Sequence, residues 1–276
     1  MSRYLEKSVN LIPWWLRDRI RSIPLLAPAQ RWVFRRLYSG RTFEHTINAG
    51  PARGLNITIT LPDDKLLWTG TWEKDIGEAI AAAVPAGGVC LDIGSHRGFM
   101  AGVMARNGAR RVYCFEPNPA NLARLEQLQG INPTLDLRLM PLAVGSTNGR
   151  ASFSLMPEST MGKLSDSRFQ PTEATSGTLD VTVRTLDDLL QTGEIEAPGL
   201  IKVDVEGAEV EVLRGATTLI REHRPHWIIE AHELVLGQEC SRILEQAGYW
   251  VRVIETGRPL DPAAPWHVCH LQAGRR

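Results

Sequence analysis

Several features are scarce in this 276-residue chain, and each absence excludes something. It has four cysteines, Cys90, Cys114, Cys240 and Cys269, and none falls in a CxxC or Cys/His ligand spacing. They are scattered through apolar runs and read as reduced core thiols of a cytosolic protein, neither a disulfide framework nor a zinc site. Charge of one sign is missing too: 31 basic residues balance 31 acidic ones. That argues against a general nucleic-acid binder, which is normally basic overall. No apolar run is long enough to span a bilayer, and the N-terminus lacks the uninterrupted apolar core of a cleavable leader. There is no internal repeat and no low-complexity tract.

What the chain does contain is organised around Gly87 to Pro119, GGVCLDIGSHRGFMAGVMARNGARRVYCFEPNP. Val89 to Ile93 reads as a buried parallel strand that stops at Asp92-Ile93-Gly94. Gly94 and Gly98 bracket a loop whose backbone can take left-handed angles and come close to a ligand. A helix is expected over Phe99 to Asn107, closed by Gly108. A second strand, Val112 to Phe115, ends in Glu116. Strand, glycine loop, helix, strand and acid make half of a nucleotide-binding sheet, with the acid placed for a ribose diol. The loop is Asp92-x-Gly94-x-x-x-Gly98 and not the three-glycine pattern that cradles a pyrophosphate. An acid facing it repels phosphate and attracts an ammonium group. S-adenosylmethionine, with an amino-acid tail and no phosphate, fits.

Residues 1–45 differ from the rest. They hold nine Arg/Lys against three acids, interleaved with Trp14, Trp15, Trp32, Phe34 and Tyr38, and prolines divide them into two short helices near 14–22 and 29–38. Such an extension can pack as a cap, cover a catalytic mouth, contact a second copy, or lie as a peripheral helix on a membrane surface. A catalytic domain is expected over 46–276. It begins with a hairpin between His45 and Trp68 and a helix over Ile76 to Val84, which bring Trp72 and Glu73 toward the cofactor end of the sheet.

Beyond Glu116, Asn118-Pro119 opens a helix over Ala120 to Gln129. Leu135 to Met140 is a strand, and the small residues of Leu142-Ala143-Val144-Gly145 suit an adenine slot. Strands follow at Ala151 to Leu155 and Thr178 to Arg184, separated by a long Ser/Thr/Pro/Gly-rich loop over Met156 to Ser176. In Leu200-Ile201-Lys202-Val203-Asp204-Val205-Glu206-Gly207 an apolar strand carries three charges, which need partners or a task. A single helix is expected over Ala208 to Glu222. His226 to Glu233 is a further buried strand ending in ionisable groups, so two neighbouring strands deliver acid/base residues to one rim. Cys240 to Ala247 reads as a helix. Gly248 to Ile254 and Trp266 to Gln272 are expected as antiparallel closing strands.

Taken together, DIGSHRGF, FEPNPANLARL, LAVG, VTVRTLDDL, IKVDVEGAEVEVLRGA and IIEAHE resemble the FkbM-type methyltransferases over roughly Gly70 to Gly248. The resemblance implies an α/β, class I (Rossmann-like) fold, a seven-stranded mostly parallel sheet whose last strand is antiparallel. It also implies S-adenosylmethionine-dependent O-methylation of a hydroxyl on a sugar, polyketide or other natural product. By motif, Asp92, Gly94, Ser95 and Gly98 would hold the methionine end, Glu116 the ribose, and Ala143 and Val144 the adenine edge; Asn118 and Glu73 are counted with them as cofactor-binding residues. Asp204 and Glu206 face the methyl and the acceptor. Asp204 is the first choice of base and His232 the second, since an unperturbed imidazole titrates near neutrality. His96 and Arg97 stand where many relatives carry smaller residues. No metal is expected, because a divalent ion bridging Asp204 and Glu230 or Glu233 would want more oxygen ligands than the sequence places there. A peptide or protein methyltransferase, and a non-catalytic cofactor-binding subunit, stay open as alternatives.

Overall fold

The computed structural model describes residues 41–61, 64–69, 72–155, 162–164 and 177–275. The two helices expected before residue 40, and most of the long loop at 156–176, lie outside the described residues. The chain opens with a hairpin, β1 (Arg41–Thr46) and β2 (Asn56–Leu61), paired from Arg41↔Leu61 to Thr46↔Asn56. Its first strand starts inside the stretch assigned to the extension. Helices α1 (Lys65–Thr69) and α2 (Lys74–Ala83) lead into β3 (Val89–Ile93), α3 (Phe99–Arg106), β4 (Arg111–Phe115), α4 (Pro119–Ile131) and β5 (Leu137–Met140). Pro119 opens α4, and the Asn118 side chain accepts from Ala120 N–H, so the Asn-Pro pair is a cap.

Past β5 the chain leaves the main sheet. Strands β6 (Ala143–Val144), β7 (Gly149–Leu155), β8 (Gly162–Leu164) and β9 (Gly177–Arg184) form a separate sheet in the order β6-β9-β7-β8. It returns through α5 (Leu186–Gln191) to β10 (Leu200–Val203), α6 (Glu209–Arg214), β11 (His226–Ala231), α7 (Leu234–Gln246), β12 (Tyr249–Val253) and β13 (Cys269–Arg275). The main sheet has seven strands in the order β12-β13-β11-β10-β3-β4-β5. Strands β5, β4, β3, β10 and β11 run parallel, and β13 inserts antiparallel between β11 and β12. The expected antiparallel closing pair is therefore present, with its last strand three residues later than predicted.

Side-chain alternation splits the core into two layers. Leu91, Ile93, Phe115, Val203, Trp227 and Ile229 face the layer that includes α6 and α7. Cys90, Val112, Cys114, Leu200 and Ile228 face α2, α3 and α4. All four cysteines are free and buried, as the reading of core thiols requires.

One expected helix is broken. Between Ala208 and Glu222 the α-helix stops at Arg214, and a single wide turn, Leu219–His223, follows. A Cβ on Gly215 would lie 2.1 Å from the Gly145 carbonyl, so the chain crosses the end of the second sheet at a point with no room for a side chain. Asp187 restarts the turn: its carboxylate accepts from Thr217 Oγ1, Thr218 N–H and Leu219 N–H at 2.8–3.0 Å. In the Thr-Leu-Asp-Asp-Leu run, then, Thr185 caps α5, Asp187 caps the turn, and Asp188 pairs with Arg184. That motif is structural.

Candidate active site

The carboxyl ends of β3, β4, β10 and β11 open into one cavity of about 460 Å³. Its first half is built mainly by backbone. Gly94 and Ser95 N–H both donate to the Phe115 carbonyl at 3.0 Å, tying the end of β3 to β4. Gly94 has φ 77°, and a Cβ there would sit 1.7 Å from the Asp204 carbonyl oxygen. Only glycine lets β3 and β10 converge at this point. Glu116 is buried, and its two oxygens accept from His96 N–H at 2.8 Å and Asn118 N–H at 2.9 Å. Burial raises its pKa to about 7 in spite of those two donors. Leu142, Ala143, Val144 and Phe153 supply an apolar wall beside it.

The second half is a network of charges. Lys202 is buried opposite Asp92 in the β10–β3 register. Its Nζ lies 3.0 Å from Asp204 Oδ2 and 3.6 Å from Asp92 Oδ1, and donates to the Gly94 carbonyl at 3.2 Å. Burial opposes its charge, but Asp204 and Asp92 outweigh burial and hold the ammonium protonated. The Asp92 carboxyl is pushed upward by burial, with Lys202 acting against that. Asp204 goes the other way: burial would raise it, yet Lys202 and His232 keep it below its ordinary value.

His232 is the hub of this half. Its Nδ1 is 2.6 Å from Oε1 of the fully buried Glu209. Its Nε2 is 3.3 Å from Glu206, 3.8 Å from Asp204 and 3.8 Å from Glu230. Burial opposes protonation, but the Glu209 hydrogen bond and the surrounding carboxylates raise the pKa to about 9. Glu206, at φ 52° in the turn before α6, is half-buried, and desolvation lifts it to about 7. His270 extends the network, 3.4 Å from Glu230 and 2.7 Å from Glu255.

Most of the residues singled out from sequence do meet here. Glu73, Gly94, Ser95, Glu116, Ala143, Val144, Asp204 and Glu206 all line the cavity. Asp92, Gly98, Asn118 and His232 support it from behind. Asp92 is wholly buried because strand alternation turns it onto the α3 side, where it faces Lys202 and not the cavity. Gly98 has φ 83°, and a Cβ there would meet Leu125 and Leu128 at 2.5 and 2.7 Å; its smallness lets α3 pack on α4. Asn118 caps α4 and fixes Glu116. His232 is a cation at neutral pH, so the assumption of an unperturbed imidazole is corrected by its carboxylate neighbours. Sequence reasoning gave no role to Glu209 or His270. Glu209 is recognisable only as a charge three positions after Glu206, and its partner is 23 residues away. Donor atoms of Asp204, Glu230 and His232 lie within 4.8 Å of one another, but Lys202 already supplies a cation to Asp204. Glu233 is not part of that group.

The order of the seven strands with one antiparallel insert, and a buried acid one strand beyond a glycine turn, are those of a class I methyltransferase fold. The residues present fit S-adenosylmethionine: Glu116 lines the cavity with its carboxylate fixed by two backbone N–H groups, and Glu73, Asp204 and Glu230 place further carboxyl groups on the same cavity, where no phosphate-binding loop competes. The family model for the methyltransferase FkbM domain matches residues 92–251, and the chain belongs to that family. It is an S-adenosylmethionine-dependent methyltransferase. Among characterised relatives it is similar to the hexuronic acid methyltransferase AglP of Haloferax volcanii, 28% identical over 191 residues, covering 68% of this chain and 74% of that one. It is also 32% identical over 150 residues to the 2-O-methyltransferase NoeI of Sinorhizobium fredii, covering 49% of this chain and 60% of that one. The crystal structure of an FkbM methyltransferase from Methylobacillus flagellatus superimposes with a TM-score of 0.45 at 22% identity, over 67% of this chain and 43% of that one. No helix among the described residues is long and apolar enough to cross a membrane.

Proposed function

We propose that the chain methylates a hydroxyl group of a saccharide, with Glu206 as the proton acceptor and Asp204 as the group that orients the acceptor. Bound S-adenosylmethionine supplies a methyl group on a sulfonium, a leaving group that needs no activation by the protein. The protein's own tasks are to hold both partners in line and to take the hydroxyl proton. Asp204, locked as an anion by Lys202 and His232, can accept a hydrogen bond but is a weak base. Glu206 lines the same cavity and titrates near neutrality, which suits proton transfer at physiological pH. The imidazolium of His232, steadied by Glu209, stands 3.3 Å behind Glu206 and stabilises its anion. Glu116 is assigned to the ribose hydroxyls, and Gly94 with Ser95 to the amino-acid end of the cofactor.

The observation that carries this reading is the pairing of two carboxylates, one held low and one raised to about 7, on one wall of the cofactor cavity. The names of the relatives, a hexuronic acid methyltransferase and a 2-O-methyltransferase, support a sugar hydroxyl as acceptor. Incubation with methyl-labelled S-adenosylmethionine and a panel of saccharides, polyketides and peptides tests it. Label is expected in a saccharide ether. Label in a peptide methyl ester or methylamine, with none in the sugars, would overturn it.

A further inference from the structure

A second cavity, about 340 Å³, adjoins the first and shares Asp64, Leu67, Arg97 and Phe99 with it. The character of its wall is opposite. The main cavity is lined by six carboxylates, of Asp64, Glu73, Glu116, Asp204, Glu206 and Glu230, against the two cations Arg97 and Lys202. Among the described residues, the side pocket is lined by two arginines, Arg97 and Arg124, and one acid, Asp64. In a chain with no net charge, this is a local excess of positive charge beside a strongly negative site.

The polar groups of the side pocket are incompletely used. Asp64 is committed on both oxygens, to Arg97 Nη1 at 2.6 Å and to Thr60 N–H at 2.8 Å. It neutralises Arg97 and leaves Arg124, among the described residues, without a hydrogen-bonded counter-ion. Arg124 Nη1 is buried there with no hydrogen-bond partner, and so is Thr58 Oγ1 on the same wall. A buried guanidinium N–H and a buried hydroxyl left unpaired cost stability, and such groups usually mark a place where a ligand completes them. Burial and the neighbouring Arg97 charge pull the Arg124 pKa down, and Asp64 only partly offsets them.

We propose that this pocket binds an oxyanion, a carboxylate or phosphate carried by the acceptor, through Arg124, Arg97 and Thr58, so that the acceptor is an acidic saccharide. A guanidinium offers paired N–H donors in the geometry of a planar or tetrahedral oxyanion, and the hydroxyl adds one more donor. The shared wall makes the two cavities parts of one cleft. An anionic group repelled by the carboxylates around Asp204 finds its counter-charge one step away, which also fixes which end of the sugar enters the catalytic half. The oxyanion site rests on the saccharide reading but is tested separately from it.

The test is ligand-observed NMR on the full chain with sodium glucuronate, glucose 1-phosphate, inorganic phosphate and methyl glucoside, alongside calorimetry with S-adenosylmethionine. The wild type should bind glucuronate and glucose 1-phosphate about tenfold or more tighter than methyl glucoside, the scale of one charge-assisted hydrogen bond. Arg124→Gln should abolish that preference while S-adenosylmethionine affinity stays within about twofold, since Arg124 does not line the main cavity. Thr58→Val, a near-isosteric change, should weaken both anions by a smaller factor and provides a second reading if Arg124→Gln folds poorly. The proposal is overturned if the wild type shows no preference, if neither variant alters it, or if only inorganic phosphate binds. Should no saccharide be methylated while the Arg124-dependent preference is present, the oxyanion pocket stands and the saccharide reading falls. Should neutral sugars be methylated with no anion preference, the saccharide reading stands and the oxyanion pocket falls.

Discussion

The two halves of the catalytic cavity are assembled by different physics. On the β3–β4 side the walls are backbone: Gly94, Ser95, His96 and Asn118 N–H groups fix one carbonyl and one carboxylate, and each partner is at most about twenty residues away in sequence. On the β10–β11 side the walls are side-chain charges, and Lys202, Asp204, Glu206, Glu209, Glu230 and His232 set one another's protonation. The first half can be damaged only locally, by geometry. In the second, one change redistributes charge through the whole network.

The most severe break in the comparison is expected at the proton acceptor. Glu206→Gln should lower kcat by roughly a hundredfold to ten-thousandfold, the usual contribution of a positioned base, with S-adenosylmethionine affinity nearly unchanged. The wild-type rate should rise with pH through about 7, as Glu206 loses its proton, and single-turnover kinetics from well below to well above that pH read this. Next comes Lys202→Met, which leaves Asp92 without its cation and Asp204 with His232 alone. Removing one partner of a buried pair costs about 3–5 kcal/mol, read from the urea midpoint. Gly94→Ala tests the backbone half. A positive φ and a Cβ 1.7 Å from the Asp204 carbonyl should together cost about 3 kcal/mol. Gly98→Ala meets only the movable ends of Leu125 and Leu128 and should cost less.

Smaller effects sharpen the contrast. Glu116→Gln replaces an acceptor-only group by one that also donates, and should weaken S-adenosylmethionine binding about tenfold in calorimetry with little change in kcat. The last expected effect is on stability against pH. His232 has its pKa raised from 6.5 to about 9 by folding, so its stabilising contribution is complete below pH 6.5 and is lost as pH rises through 9. The wild-type melting temperature should therefore fall by a few degrees between pH 6.5 and 9, and His232→Gln should flatten that fall. A wild type equally stable across this range would show that the imidazolium is not held by its carboxylates.

The glycine turn and its acid were legible because their logic is local. A strand that must stop, a glycine at a positive φ, and an acid one strand later all follow from short stretches of chain. Asp92 and Gly98 show where that logic stops: the turn they bracket was found, but not which way each position faces. Alternation along β3 decides which face Asp92 takes, and the packing of α3 on α4 decides what Gly98 makes room for, so neither is visible in a motif. The Thr-Leu-Asp-Asp-Leu run served as a family signature, and what its residues do, capping and pairing, appears only in the structure. The break at Gly215 was missed because nothing in a helix-compatible sequence announces that a carbonyl from a second sheet will press on it.

Alone, the order of residues determined the alternation of strands and helices, the tight turn after Ile93, the acid beyond Phe115, and the family to which the chain belongs. Those depend on apolar periodicity and on backbone angles that few residues accept, properties that a short window of sequence carries. Only the tertiary structure decided which carboxylate is charged, why His232 is a cation, and where Arg124 and Thr58 meet. Protonation and charge complementarity depend on through-space distance and burial, which residues far apart in the chain acquire only when the sheet is assembled.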